Sequence, residues 1–164
     1  MKLDKTDIAV IVWAVVASLF VSCNPAYASN IPDPKLTPGE VRNVTVQTLC
    51  TTSTKLVRNV PKSVSNKVYV SYGMTGNYTG YCNVTGGCEL DHDISLSLGG
   101  SNGQKNLFPM PYSGACNAHD KDKLEFKLYM LMCKGTITMK QAQKSISGDW
   151  RPAYKKYINA KGCN

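Results

Sequence analysis

Apolar residues recur along the chain with two different periods. In Pro61–Tyr72, PKSVSNKVYVSY, Val64, Val68 and Tyr72 stand four apart, and Gly73 follows as a stop signal. That spacing predicts a helix. From Leu90 to Leu98 the rhythm is two: Leu90, His92, Ile94, Leu96 and Leu98 alternate with Asp91, Asp93, Ser95 and Ser97. This predicts a strand as far as Leu98, with room for a bend. Gly99-Gly100-Ser101-Asn102-Gly103 is a turn by composition. Asn106-Leu107-Phe108 can return as a second strand, which Pro109 and Pro111 should end. From Asn117 the helical spacing resumes through Leu124, Leu128, Leu131 and Met132, until Gly135. Thr138 and Gln141 form a capping box that opens a short helix through Ala142 and Ile146. Trp150, Tyr154 and Tyr157 give one buried face of a last helix. Residues 29–40 hold three prolines and read as an extended lead-in; residues 73–87, rich in Gly, Asn and Thr, read as a loop. The segment 41–49 alternates too loosely to type. The expected class is α+β, with the order strand, turn, strand, loop, helix from Leu90 onward.

The N-terminus changes the picture of where the protein works. Residues 8–23, IAVIVWAVVASLFVSC, are apolar and follow Lys2 and Lys5. The run is shorter than the roughly 18 residues expected of a spanning helix. Ala26-Tyr27-Ala28 is an A-x-A cleavage pattern, so residues 1–28 read as a signal peptide and 29–164 as a single domain. An uncleaved anchor is the alternative. Six cysteines remain behind the signal: Cys50, Cys82, Cys88, Cys116, Cys133 and Cys163. An even number in an exported chain argues for disulfides, and the short flexible stretch between Cys82 and Cys88 suits one bridge. No pair has C-x2-C spacing, which speaks against a zinc site. Asn43, Asn77 and Asn83 begin N-x-T sequons.

Charge then narrows the partners. The net charge is +8, and because residues 1–28 carry two Lys and two Asp, the exported part keeps it. A basic exported protein implies an anionic partner: nucleic acid, membrane headgroups or acidic polysaccharide.

Only two histidines are present, His92 and His119. One follows Asp91 on the predicted strand; the other stands where the following helix begins. Packing the strand pair on that helix would bring them together. Asp91 offers a hard oxygen ligand and His119 an imidazole nitrogen, a set suited to Mg2+, Mn2+ or Zn2+. His92 is then left to accept a proton from an attacking water. Lys105, Lys121, Lys123 and Lys127 lie nearby in sequence, and the first three are candidates for binding flanking phosphates. Glu125, six residues after His119, should point elsewhere and pair with a lysine.

At these residues the chain resembles the HNH (ββα-metal) nuclease family. The pattern is Glu89-x-Asp91-His92, Gly99-Gly100, Asn106-Leu107 and His119, with Asn106 fifteen positions after Asp91. Glu89-Leu90 before the pair is similar to the Glu-x-His-His of colicin-type nuclease domains. A wider run is similar to small exported bacterial and fungal HNH-like proteins: Asn106-Leu107-Phe108-Pro109, Ala118-His119, Lys121-Asp122, Leu124-Glu125, Ala142-Gln143 and Asp149-Trp150. The resemblance implies a ββα-metal core with additional helices. It implies a metal-dependent endonuclease of low sequence specificity acting on DNA foremost, with RNA as the alternative, outside the cytoplasm, in the periplasm or secreted, with one divalent ion, Mg2+ foremost. It gives Asp91 and His119 to the metal, His92 to proton transfer and Asn106 to holding the loop. The stretch Pro109–Cys116 lengthens the path from Asn106 to the last histidine, so Asn117 stands beside His119 as the alternative second ligand. The zinc-holding cysteine pairs of many HNH proteins are absent. The rival class is a basic nucleic-acid- or envelope-binding protein that keeps the fold without turnover. An exported toxin with a cognate inhibitor would be the same enzyme chemically.

Overall fold

The computed structural model describes residues 28–74, 82, 84 and 86–163. The signal segment expected over 1–28 falls almost wholly outside the described residues, as do Asn77 and Asn83 and much of the 73–87 loop. The described chain is α+β: five helices and one two-stranded antiparallel sheet. In order they are α1 (Val46–Thr51), α2 (Lys62–Ser71), β1 (Cys88–His92), β2 (Leu107–Pro111), α3 (Ala118–Cys133), α4 (Met139–Ile146) and α5 (Arg151–Tyr157). Short 3-10 turns occupy Thr54–Leu56, Leu96–Leu98 and Gln104–Asn106. None of the described helices is long and apolar enough to cross a membrane.

The untyped segment before Cys50 ends in α1, capped by the Thr45 side chain on the Thr48 amide. The helix predicted over 61–72 forms as α2, burying Val68 and Tyr69. The strand predicted to run through Leu98 stops at His92. Beyond it Asp93, Ile94, Ser95 and Leu96 are all buried, so the chain has no outer face there and the two-residue rhythm loses its meaning. Leu96–Leu98 instead makes a 3-10 turn closed by Gly99 in the left-handed region, φ 91°.

The prolines of the second strand sit inside it rather than ending it. Register pairs Leu90 with Pro109 and Cys88 with Pro111. The Pro109 carbonyl faces away from β1 and accepts from Ser29 N at 3.1 Å. The Leu107 carbonyl likewise accepts from Thr37 Oγ1 at 2.9 Å. On this outward side of the ladder the missing N–H of proline costs no sheet bond. The lead-in 29–40 is thus bound along the outer edge of β2, and Trp150 Nε1 fixes its start by donating to the Asn30 carbonyl.

Helix α3 carries the core. Its buried stripe is Ala118, Lys121, Leu124, Leu128 and Met132, spaced for one face. It shares one core with Phe108 and Met110 from β2, Ala142 and Ile146 from α4, Trp150 just before α5 and Tyr154 within it. The capping box of Thr138 and Gln141 opens α4 as the sequence indicates. Three cysteine pairs lie at disulfide distance: Cys50–Cys133, Cys82–Cys88 and Cys116–Cys163, with Cα separations of 5.7, 5.3 and 4.9 Å. The first ties α1 to the end of α3; the third ties the α3 approach to the C-terminus.

Candidate functional site

The site begins with the loop between the strands. Asn106 is fully buried and acts as its central brace. Its Oδ1 accepts from Ile94 N at 2.9 Å, and its Nδ2 donates to the carbonyls of Ile94 and Ser101, both at 2.9 Å. Gly100 packs under this brace, where an added Cβ would collide with the Ile94 carbonyl. The loop therefore has one geometry, and it fixes Asn102 beneath the end of β1.

Asn102 orients His92. Its Nδ2 donates to the Val57 carbonyl at 2.8 Å, so Oδ1 faces His92 Nε2 at 3.2 Å. An amide oxygen can only accept, which makes Nε2 the N–H of the neutral ring and leaves Nδ1 with the lone pair. His92 is buried at 3% exposure, and among the described residues its Nδ1 makes no hydrogen bond. Burial lowers the imidazole's affinity for a proton; the Asn102 bond and the Asp91 charge resist this, while Arg58 and Lys121 add to it. The net direction is down, so His92 is neutral at neutral pH.

Asp91 precedes it at the strand end. Its Oδ1 accepts from the His92 amide at 2.7 Å, and its Oδ2 meets Lys121 Nζ at 2.9 Å. Lys121 departs from the expectation that it reaches out to phosphate. It is fully buried, and its ammonium also donates to the His92 carbonyl at 2.7 Å and to Glu125 Oε1 at 2.6 Å. Burial opposes its charge, but Asp91 and Glu125 outweigh that and hold its pKa above the ordinary value. Lys121 is an internal counterion bolting α3 to β1. Glu125 pairs with a lysine as its four-residue spacing allows.

Around this bolt the carboxylates outnumber the cation. Glu89 is raised by burial first, then by the charges of Asp91 and Asp122, and Tyr112 donates to its Oε2 at 3.2 Å. Asp122 is raised by partial desolvation, then by Asp91, and lies within electrostatic reach of Lys121, His119 and Arg58. His119 is exposed in the first turn of α3 and stacks on Tyr112, ring centroids 5.4 Å apart. No hydrogen bond joins it to Asp91. Asn117 is committed to capping α3: its Oδ1 accepts from Asp120 N at 3.2 Å and its Nδ2 donates to the Gly114 carbonyl at 2.9 Å. Lys123 is exposed and paired with Asp120 at 2.8 Å. Lys105 is exposed on the 3-10 turn before β2.

Among the described residues no three His, Cys, Asp or Glu side chains form a ready-made metal cage. The side chains that could offer ligands to a hard divalent cation are the carboxylates of Asp91, Glu89 and Asp122 and the exposed imidazole of His119; the charge of Asp91 adds to burial in raising Glu89 and Asp122. Asn102, Arg58 and Tyr112 escaped the sequence reading. Asn102 looked like turn filler, and the other two gain their roles only from chain crossings. No protein-family model matches the chain, nor does any curated protein or solved structure.

Proposed function

We propose that the protein is a divalent-metal-dependent phosphodiester hydrolase of the HNH kind, acting on nucleic acid outside the cytoplasm. The observation that carries this reading is His92: a neutral imidazole held by Asn102 with Nδ1 free, next to Asp91. With Nε2 committed to Asn102, the unbonded nitrogen is the one that can accept a proton. Asp91 and His119 would hold the metal ion, which supplies a Lewis acid to offset charge on the phosphate and the leaving oxygen. Asn117 is the alternative second ligand, through the Oδ1 that already accepts from the Asp120 amide.

The residues divide the remaining work. His92 Nδ1 takes a proton from water as the oxygen bonds to phosphorus, and the bond from phosphorus to the leaving oxygen breaks. Asn102 keeps the ring in the accepting tautomer. Lys121 fixes the carboxylate of Asp91 and, through the His92 carbonyl, the end of the strand. Asn106 holds the loop. The +8 charge favours phosphate-rich partners over neutral ones.

A second reading rests on Lys121. Its ammonium already neutralises part of Asp91, as a resident cation would in a binding protein without turnover. Calorimetric metal titration beside a cleavage assay separates the two. The hydrolase reading expects His92→Ala to retain metal binding and lose turnover by roughly 10²–10⁴-fold, and Asp91→Ala to lose metal binding itself. Wild-type protein that binds no divalent ion and cleaves nothing would leave the binding reading.

A further inference from the structure

Next to the acidic centre lies an open cavity of about 360 Å³, between α3 and the segment that follows α1. Asp122 and Glu125 form the wall it shares with the centre. Its mouth is flanked by Phe126, which is 68% exposed although it is large and apolar. Tyr129, two turns after Asp122 on the same helix, deepens the aromatic side and donates to the Cys50 carbonyl at 3.4 Å. Arg58 lines the cavity and lies within electrostatic reach of both His92 and Asp122. The hydroxyl residues Thr52, Ser53, Thr54 and Ser97, with the apolar Leu49 and Leu96, line the rest. The Cys50–Cys133 pair clamps the two walls together.

We propose that this cavity is a nucleobase subsite for single-stranded nucleic acid, with Phe126 as the stacking face and Arg58 as the contact for the adjoining phosphate. The inference rests on the hydrolase reading for its placement beside the reacting phosphate. An exposed aromatic beside a cation and neutral hydroxyls is the arrangement that accepts a base with little preference for its identity. A base paired inside a duplex cannot turn its face to Phe126 without leaving the stack, so the subsite favours unpaired strands. The carboxylates at the inner end repel an unscreened phosphate, which puts the phosphate at the Arg58 end.

The test measures binding of fluorescent oligothymidine to the disulfide-bonded protein in EDTA by anisotropy, with cleavage of the same strand measured separately in Mg2+. Phe126→Ala should weaken affinity by about 5- to 150-fold, the range of one lost base stack, while Phe126→Trp should restore it and duplex DNA of equal length should show no such dependence. Near-ultraviolet circular dichroism checks that each variant is folded. Wild-type protein with no saturable oligothymidine binding, or a folded Phe126→Ala protein binding as wild type, would overturn the subsite. If oligothymidine affinity falls in Phe126→Ala but no strand is ever cut, the subsite stands and the hydrolase reading fails. If strands are cut and affinity is unchanged, the reverse holds.

Discussion

At the scale of single residues, Lys121 and His92 show how burial decides meaning. Lys121 lies three residues before Leu124 and seven before Leu128, on the buried stripe of α3, yet a lysine among lysines reads as solvated. Only the arrival of Asp91 from β1 and of the His92 carbonyl makes an interior place for it. Removing one partner of such a buried pair leaves uncompensated charge. Lys121→Met should therefore lower stability by about 3 kcal/mol in chemical denaturation, with Glu125→Gln recovering part of it in the double variant. A loss under about 1 kcal/mol would show the ammonium is not the bolt described. His92 sets a pH dependence. Its folded pKa lies below the ordinary 6.5, so the unfolded chain binds the proton more readily. Its contribution is whole above that value and is lost as pH falls through it. Urea midpoints between about pH 5 and 6.5 should fall more steeply in wild type than in His92→Gln; parallel profiles would contradict the buried neutral ring.

At the scale of elements, local pattern and tertiary closure divide cleanly. Helices α2, α3 and α4 are legible because each has its own period and its own stop or cap, Gly73, Gly135 and the Thr138–Gln141 box, and α5 from the spacing of Trp150, Tyr154 and Tyr157. The sheet was half legible. Alternation predicts a strand wherever one face is wet, and Asp93–Leu96 has no wet face, so the strand was read too long. The prolines of β2 were read as terminators because sequence does not tell which side of a strand faces its partner. The site followed the same division. Asp91, His92, Asn106 and His119 stood out by type and spacing, whereas Asn102 and Arg58 act through contacts that cross the chain. The loop between the strands is where local and long-range order meet. Gly100→Ala should cost at least about 1–3 kcal/mol as an overpacked position, since its new Cβ must displace the Ile94 carbonyl or the Asn106 amide. Gly135→Ala meets nothing within 4 Å and should cost less, only the strain of its left-handed φ. Thermal or urea unfolding of the two variants checks the order, and equal losses would mean that the loop yields.

At the scale of the whole molecule, a strongly basic chain surrounds a small acidic centre. In the proposed hydrolase the net charge of +8 would draw polyanions in, and the carboxylates around Lys121 would keep them from settling without a bridging cation. That need for a cation makes the central claim directly testable. Plasmid DNA and single-stranded RNA are incubated with the oxidised protein in Mg2+, then in EDTA, then with Mg2+ restored. Cleavage is expected in Mg2+, with its loss on chelation and its return with the metal. Full cleavage in thoroughly chelated samples, or none in any of them, would contradict the claim.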